Sequence, residues 1–110
     1  MPNDPYSPNS INKRVNDLNN RRELGAPYPN HSTMHTTDNK KYPTEHKPNS
    51  SMDLNDADGK KHRRYFDENG RAVEDIDYRH SNGDGTHIFP HRHGWDWNTS
   101  TGKPTRYDMD

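Results

Sequence analysis

The chain has 110 residues, of which 23% are hydrophobic and 30% are charged, and its formal net charge is −1 with neutral histidines. No stretch approaches the roughly 18 consecutive apolar residues of a membrane span, so we expect no insertion into a membrane. The sequence contains no cysteine, so we expect neither thiolate metal sites nor disulfide-linked partners. Eight histidines would move the formal charge from −1 to +7 if all were protonated, which makes acidity a strong influence on its electrostatics.

The two halves of the chain differ in composition. Seven of the nine prolines lie in residues 1–59, whereas seven of the ten aromatic residues lie in residues 60–110. Val, Ile, Leu and Phe together number only 10, far fewer than an ordinary globular core uses. These distributions predict a loosely ordered leader over residues 1–59 and a compact, β-rich core over residues 60–110.

One segment of the leader has a helical pattern. Apolar residues recur at the spacing i, i+4 and i+7, namely Ile11, Val15 and Leu18. Gly25 and Pro27 follow and are typical of a helix end, so the pattern predicts a helix over residues 11–24. Its asparagines are poor helix formers, and the helix therefore needs a surface to pack on. Residues 27–59 show no periodicity and are interpreted as irregular chain.

The compact half begins with a hairpin signal. Two segments of strand character, residues 62–66 and 71–78, flank the pair Asn69-Gly70, which favours a two-residue type I′ turn. The resulting cross-strand pairs are Phe66–Val73, Tyr65–Glu74, Arg64–Asp75, Arg63–Ile76, His62–Asp77 and Lys61–Tyr78. Opposite charges meet in this register, which favours it over a shifted one.

A histidine-rich segment follows the hairpin. Four histidines lie within 14 residues: His80, His87, His91 and His93. Residues 86–93 are predicted to be extended, with Pro90 restricting them to an edge or unpaired strand. Because side chains alternate along a strand, His87, His91 and His93 share one side and Arg92 lies on the other. His91 and His93 are then about 6–7 Å apart along the chain.

Two chemistries fit these histidines. In metal-free RNA cleavage, one imidazole takes the proton of the 2′-hydroxyl and another protonates the leaving oxygen. Arginine stabilises the developing charge on phosphorus, and the candidates for binding the substrate phosphate are Arg71, Arg79 and Arg92. Alternatively, His87, His91 and His93, or two of them with Asp77, bind Zn²⁺ or Mn²⁺. We favour the metal-free mechanism, without a cofactor.

The same candidate residues also have structural interpretations. The histidines can serve as half-buried polar aromatics in a chain that is short of aliphatic residues. Asp75 and Asp77 share a strand face, and pairing with Arg64 and His62 explains them better than direct catalysis; Asp77 can also orient a histidine. The two tryptophans, Trp95 and Trp97, can stack on bases, but core packing explains them better.

The hairpin and the histidine segment together resemble a known group of proteins. Residues 65–78, His80, His87 and the segment Phe89-Pro90-His91-Arg92-His93 resemble the C-terminal toxin modules of bacterial polymorphic toxins. The resemblance implies a module that is delivered into a competitor cell, acts in its cytoplasm and is neutralised by a cognate immunity protein. It often implies nuclease activity. Carried over by position, it marks as candidate catalytic residues Asp77, His80, His87, His91 and His93.

From these observations we predict a small α+β fold, with one N-terminal helix, a short, mostly antiparallel sheet and long irregular polar segments. The predicted function is that of a toxin-module nuclease, with RNA the expected substrate rather than DNA. The alternatives are a non-enzymatic histidine-rich module that binds a transition metal or a partner protein, and a small structural protein of an assembly.

Overall fold

The computed structural model describes residues 8–35, 42–55, 61–78 and 91–109. These residues form one helix, α1 (Pro8–Leu24), and six strands. The strands are β1 (Asn30–His35), β2 (Ser50–Asn55), β3 (Lys61–Phe66), β4 (Ala72–Asp77), β5 (His91–Trp97) and β6 (Pro104–Asp108). The described helix is neither long nor apolar enough to cross a membrane.

All six strands belong to one sheet, in which their order follows the chain from β1 to β6. β1 and β2 run parallel, and every other neighbouring pair is antiparallel. The prediction of a small, mostly antiparallel α+β fold is therefore confirmed. The sheet also continues across the predicted boundary between residues 59 and 60, because β2 pairs with β3.

The interpretation of residues 27–59 as irregular chain is wrong at β1 and β2. Both strands are rich in Ser, Asn and other polar residues, which gave no β signal in isolation. β2 lies inside the sheet, where Met52 and Leu54 are buried. Pairing with β3 and burial of these two side chains thus outweigh the weak local preference of the segment.

The hairpin forms as predicted over four pairs and differs at the turn. The confirmed pairs are His62–Asp77, Arg63–Ile76, Arg64–Asp75 and Tyr65–Glu74. Phe66 pairs with Ala72 instead of Val73, because the register shifts by one residue at a β-bulge. The φ angle is positive at Gly70 (77°) and not at Asn69, so the turn is not type I′. The N–H of Gly70 instead donates to the carbonyl of Asp67 at 2.9 Å, as in a type I turn followed by a left-handed glycine.

The helix ends where the sequence predicts, although it begins at Pro8 rather than at residue 11. Gly25 has a φ of 76°, and the N–H groups of Gly25 and Ala26 donate to the carbonyls of Arg22 and Arg21 at 3.1 and 2.8 Å. This pattern is a Schellman C-cap. Arg92 of β5 also donates to the carbonyls of Arg22 and Glu23 in the last turn, at 3.0 and 2.7 Å. The helix is therefore fixed to the sheet at its C-terminal end.

Each face of the sheet has its own small core. On the helix face, the buried residues are Tyr28, Tyr65 and Ile76, with Leu18 and Val73 packed against them. On the opposite face, the buried residues are Tyr42, Met52, Leu54, Phe66 and Ala72, with Met34, Trp95 and Trp97 packed against them. Aromatic side chains thus supply much of the core that aliphatic residues supply in most domains.

Candidate active site

The face of the sheet opposite α1 carries three histidines and two aspartates on neighbouring strands. We call His62, Asp75, Asp77, His91 and His93 the histidine face. The strand register aligns them, because His62 and His91 both pair with Asp77, on either side of it, and His93 pairs with Asp75. Residues that pair across neighbouring strands point to the same side of a sheet. The histidine face therefore spans β3, β4 and β5.

The predicted arrangement of β5 is confirmed for the part that the structure describes. The rings of His91 and His93 lie on the same side, with centroids 6.4 Å apart. Arg92 lies on the other side, where its guanidinium contacts the carboxylate of Glu74 and the end of α1. The structure therefore places Arg92 away from the histidine face.

The remaining candidate residues lie elsewhere. Arg71 sits next to the hairpin turn, with its guanidinium 4.9 Å from the ring centroid of Trp97, at the opposite end of β5 from His91. Arg79, His80 and His87 lie outside the described residues, and their roles stay predictions.

Asp75 is a buried structural carboxylate. It is fully inaccessible, and Arg64 donates to its two oxygens from Nε and Nη2 at 2.8 and 3.0 Å. Arg106 of β6 approaches the same carboxylate, with Nε 3.3 Å from Oδ2. The third group of Arg64, Nη1, donates to the carbonyl of Pro43 at 2.8 Å. The pairing predicted for Asp75 and Arg64 is confirmed, and it fixes Arg64 in place.

His62 and Asp77 form the second buried pair. Nδ1 of His62 lies 3.4 Å from Oδ1 of Asp77, whose side chain is only 2% exposed. Burial lowers the pKa of His62, and the positive charges of Arg106 and Arg64 lower it further, against the opposing effect of Asp77 and Asp75. His62 is therefore neutral near pH 7. Nδ1 is the ring nitrogen nearer the carboxylate, and Nε2 is the nitrogen left to accept a proton from a substrate.

The sequence pairs His62 with Asp77, but His62 is not among the predicted site residues. Its register was predicted correctly, and that pairing was interpreted as structural. The available signal was its position opposite Asp77, which was itself a candidate catalytic residue. The missing information was its burial and its position in the wall of a pocket, which only the folded sheet shows.

His93 lies beside a different carboxylate. Its Nδ1 lies 2.8 Å from Oδ1 of Asp108, a residue of β6 whose side chain is 81% exposed. As with His62, a carboxylate at Nδ1 leaves Nε2 for proton transfer. The histidine face thus has two imidazoles with a carboxylate beside Nδ1, one on β3 and one on β5.

A pocket of about 180 Å³ opens beside His62. It is lined by Tyr42, Leu54, His62, Arg64, Trp95 and Arg106. The guanidinium of Arg64 lies 4.9 Å from the ring centroid of Trp95. Trp95 and Trp97 also pack against the buried cluster on this face, as the core interpretation predicts. Trp95 therefore packs against this cluster and also forms one wall of the pocket.

No group of three His, Asp or Glu side chains within the described residues has an arrangement that could hold a metal ion. The predicted set of His87, His91 and His93 includes a residue outside those ranges, so the metal alternative stays a prediction.

Comparison of the chain with protein-family models, with curated proteins and with solved structures finds no match.

Proposed function

We propose that the protein is a metal-independent ribonuclease whose active site is the histidine face. The observation that supports this most strongly is the position of His62 and His93 on one side of the sheet, across the buried carboxylates of β4. Each imidazole has a carboxylate at Nδ1. The strands β3 and β5 are about 10 Å apart, and the register offsets His62 and His93 by two residues along them, which leaves room for a phosphodiester between the rings.

In the proposed reaction, Nε2 of His62 takes the proton of a ribose 2′-hydroxyl, and the 2′-oxygen attacks the neighbouring phosphorus. The bond from phosphorus to the 5′-oxygen breaks as His93 donates its proton to that oxygen. The products are a 2′,3′-cyclic phosphate and a free 5′-hydroxyl. His91, whose ring centroid is 6.4 Å from that of His93, lies beside the same phosphate and contributes to its binding.

The site holds charged groups of both signs. Two guanidinium groups, Arg64 and Arg106, share the single carboxylate of Asp75. Asp77 and Asp108 add two carboxylates beside the imidazoles, so the site has no excess of positive charge to attract a phosphodiester. RNA is favoured over DNA because the attacking group of this mechanism is the 2′-hydroxyl, which DNA lacks.

The biological setting follows from the resemblance to polymorphic toxin modules. We propose that the domain is delivered into competitor bacteria, degrades RNA in their cytoplasm and is blocked by an immunity protein. Induced expression inside cells should then stop growth and degrade RNA. Growth that continues at normal rate, with the folded protein present, would count against the toxin role.

The enzymatic proposal is tested with purified protein and single-stranded RNA in EDTA. We expect cleavage by the wild type, and a loss of roughly 100-fold or more for His62→Gln and for His93→Gln, because each removes one member of the acid–base pair. His35→Gln is the matched control, since His35 is an exposed residue at the end of β1. Circular dichroism establishes that each variant is folded.

Two outcomes would contradict the proposal. Cleavage by His62→Gln and His93→Gln at the rate of His35→Gln would remove the histidine face from the mechanism. Activity that disappears in EDTA and returns with Zn²⁺ or Mn²⁺ would instead support the metal site predicted from His87, His91 and His93.

A further inference from the structure

The pocket beside His62 contains a partly exposed arginine, Arg106. Arg106 is held through Nε, which lies 3.3 Å from the carboxylate of Asp75, and 36% of its side chain is exposed. A guanidinium group carries its N–H donors in one plane, so an edge of the group presents two parallel donors to a ligand.

Two adjacent acceptors are the natural partner of such an edge. Guanine offers O6 and N7 side by side, and bidentate pairing of arginine with these two atoms is the most frequent specific contact of arginine with a base. Adenine places an amino group where guanine has O6, so it would face the arginine with a second donor. An arginine edge therefore discriminates between the two purines.

The walls of the pocket favour a planar base over a phosphate group. Leu54, Tyr42 and Trp95 contribute apolar and aromatic surface. Contact with such a surface stabilises a bound purine ring and does not stabilise a phosphate ion. The negative charge of Asp75 also reduces the attraction of Arg106 for an anion. A pocket of about 180 Å³ is of a size for one base rather than for a whole nucleotide.

We infer that this pocket is a guanine subsite, in which Arg106 reads O6 and N7. The subsite holds the base of the nucleotide whose 2′-hydroxyl is deprotonated, because His62 lines the same pocket. The position of the cut rests on the proposed function, whereas guanine binding does not. The predicted cleavage product ends in guanosine 2′,3′-cyclic phosphate.

Binding of mononucleotides to the full chain tests the subsite without any cleavage. We expect 3′-GMP to bind roughly 10-fold tighter than 3′-AMP by isothermal titration calorimetry, which is the discrimination expected of one bidentate contact. The 7-deaza analogue of 3′-GMP, which lacks N7, should lose most of that advantage. Inorganic phosphate should bind much more weakly than 3′-GMP.

Arg106→Lys keeps the positive charge and removes the planar pair of donors. In this variant 3′-GMP should bind no tighter than 3′-AMP, and the affinity for 3′-AMP should stay within about twofold of its wild-type value. Arg14→Lys, an exposed position on α1, is the control and should retain the preference. If Arg106→Lys does not fold, the 7-deaza analogue on the wild type tests the same contact.

Equal affinity for 3′-GMP and 3′-AMP would overturn the inference. So would equal affinity for 3′-GMP and inorganic phosphate, which would mark a phosphate site. Selective binding of 3′-GMP by a protein that cleaves no RNA would leave the subsite standing and refute the ribonuclease. Cleavage of RNA with no preference for guanosine would refute the guanine subsite and leave the ribonuclease standing.

Discussion

The buried pair of Arg64 and Asp75 should dominate the electrostatic stability of the sheet. Asp75 is completely inaccessible, Arg64 is 7% exposed, and two hydrogen bonds of 2.8 and 3.0 Å join them. The substitution Asp75→Asn removes the negative charge and leaves the guanidinium of Arg64 buried without its counter-ion. Removing one partner of such a pair costs about 3–5 kcal/mol. A domain of this size has a total stability of about 5–15 kcal/mol, so the variant should lose a large part of it.

The matched control is Asp53→Asn in the pair of Asp53 and Arg63. This pair has the same bidentate form, with bonds of 2.8 and 3.1 Å, but its side chains are 30% and 19% exposed. Water can solvate the remaining arginine, so we expect a loss of about 1–2 kcal/mol. Urea unfolding at pH 7, followed by circular dichroism, measures both. A loss for Asp75→Asn no larger than that for Asp53→Asn would refute the assignment of Asp75 as the buried electrostatic centre of the sheet.

Three further perturbations have defined outcomes. The pKa of His62 lies below its ordinary value of 6.5, so on acidification the unfolded chain binds a proton at this residue before the folded chain does. The free energy of unfolding therefore falls below about pH 6.5, and urea titrations should show that His62→Gln removes part of this fall. Gly70→Ala should cost about 1–3 kcal/mol in thermal unfolding, because Gly70 has a φ of 77° and an added Cβ would meet the carbonyl of His46; an unchanged Tm would contradict this. Arg92→Met should accelerate amide exchange in the last turn of α1 by about tenfold or more, and unchanged exchange would mean that Arg92 does not hold the helix.

The sequence was most informative where a structural signal is local. The hairpin follows from Asn69-Gly70 and from opposite charges at paired positions, so four of its cross-strand pairs could be predicted. The bulge beside Phe66 could not be predicted, because it depends on the packing of the turn against the backbone of residues 44–49. Asp67, Gly70 and Ala72 form backbone hydrogen bonds with that segment. The end of α1 was predictable for the same reason as the hairpin, since Gly25 is a local stop signal.

Strands that form only through long-range pairing gave little signal. β1 and β2 are polar, and their strand character comes from the sheet that they join. β6 supplies Arg106 and Asp108 to the candidate site, and both reach it only because β6 pairs with β5. The shared side of His91 and His93 follows from alternation along one strand, whereas the participation of His62 required its burial to be known.

The central claim, cleavage of RNA by the histidine face through the 2′-hydroxyl, is tested most directly with a chimeric oligonucleotide. A DNA strand that contains a single guanosine ribonucleotide is incubated with the protein in EDTA, and the products are identified by mass spectrometry. The account predicts one cut, 3′ of the ribonucleotide, with a 2′,3′-cyclic phosphate on one product and a 5′-hydroxyl on the other. Cuts between deoxynucleotides, or products with 5′-phosphate ends, would contradict it.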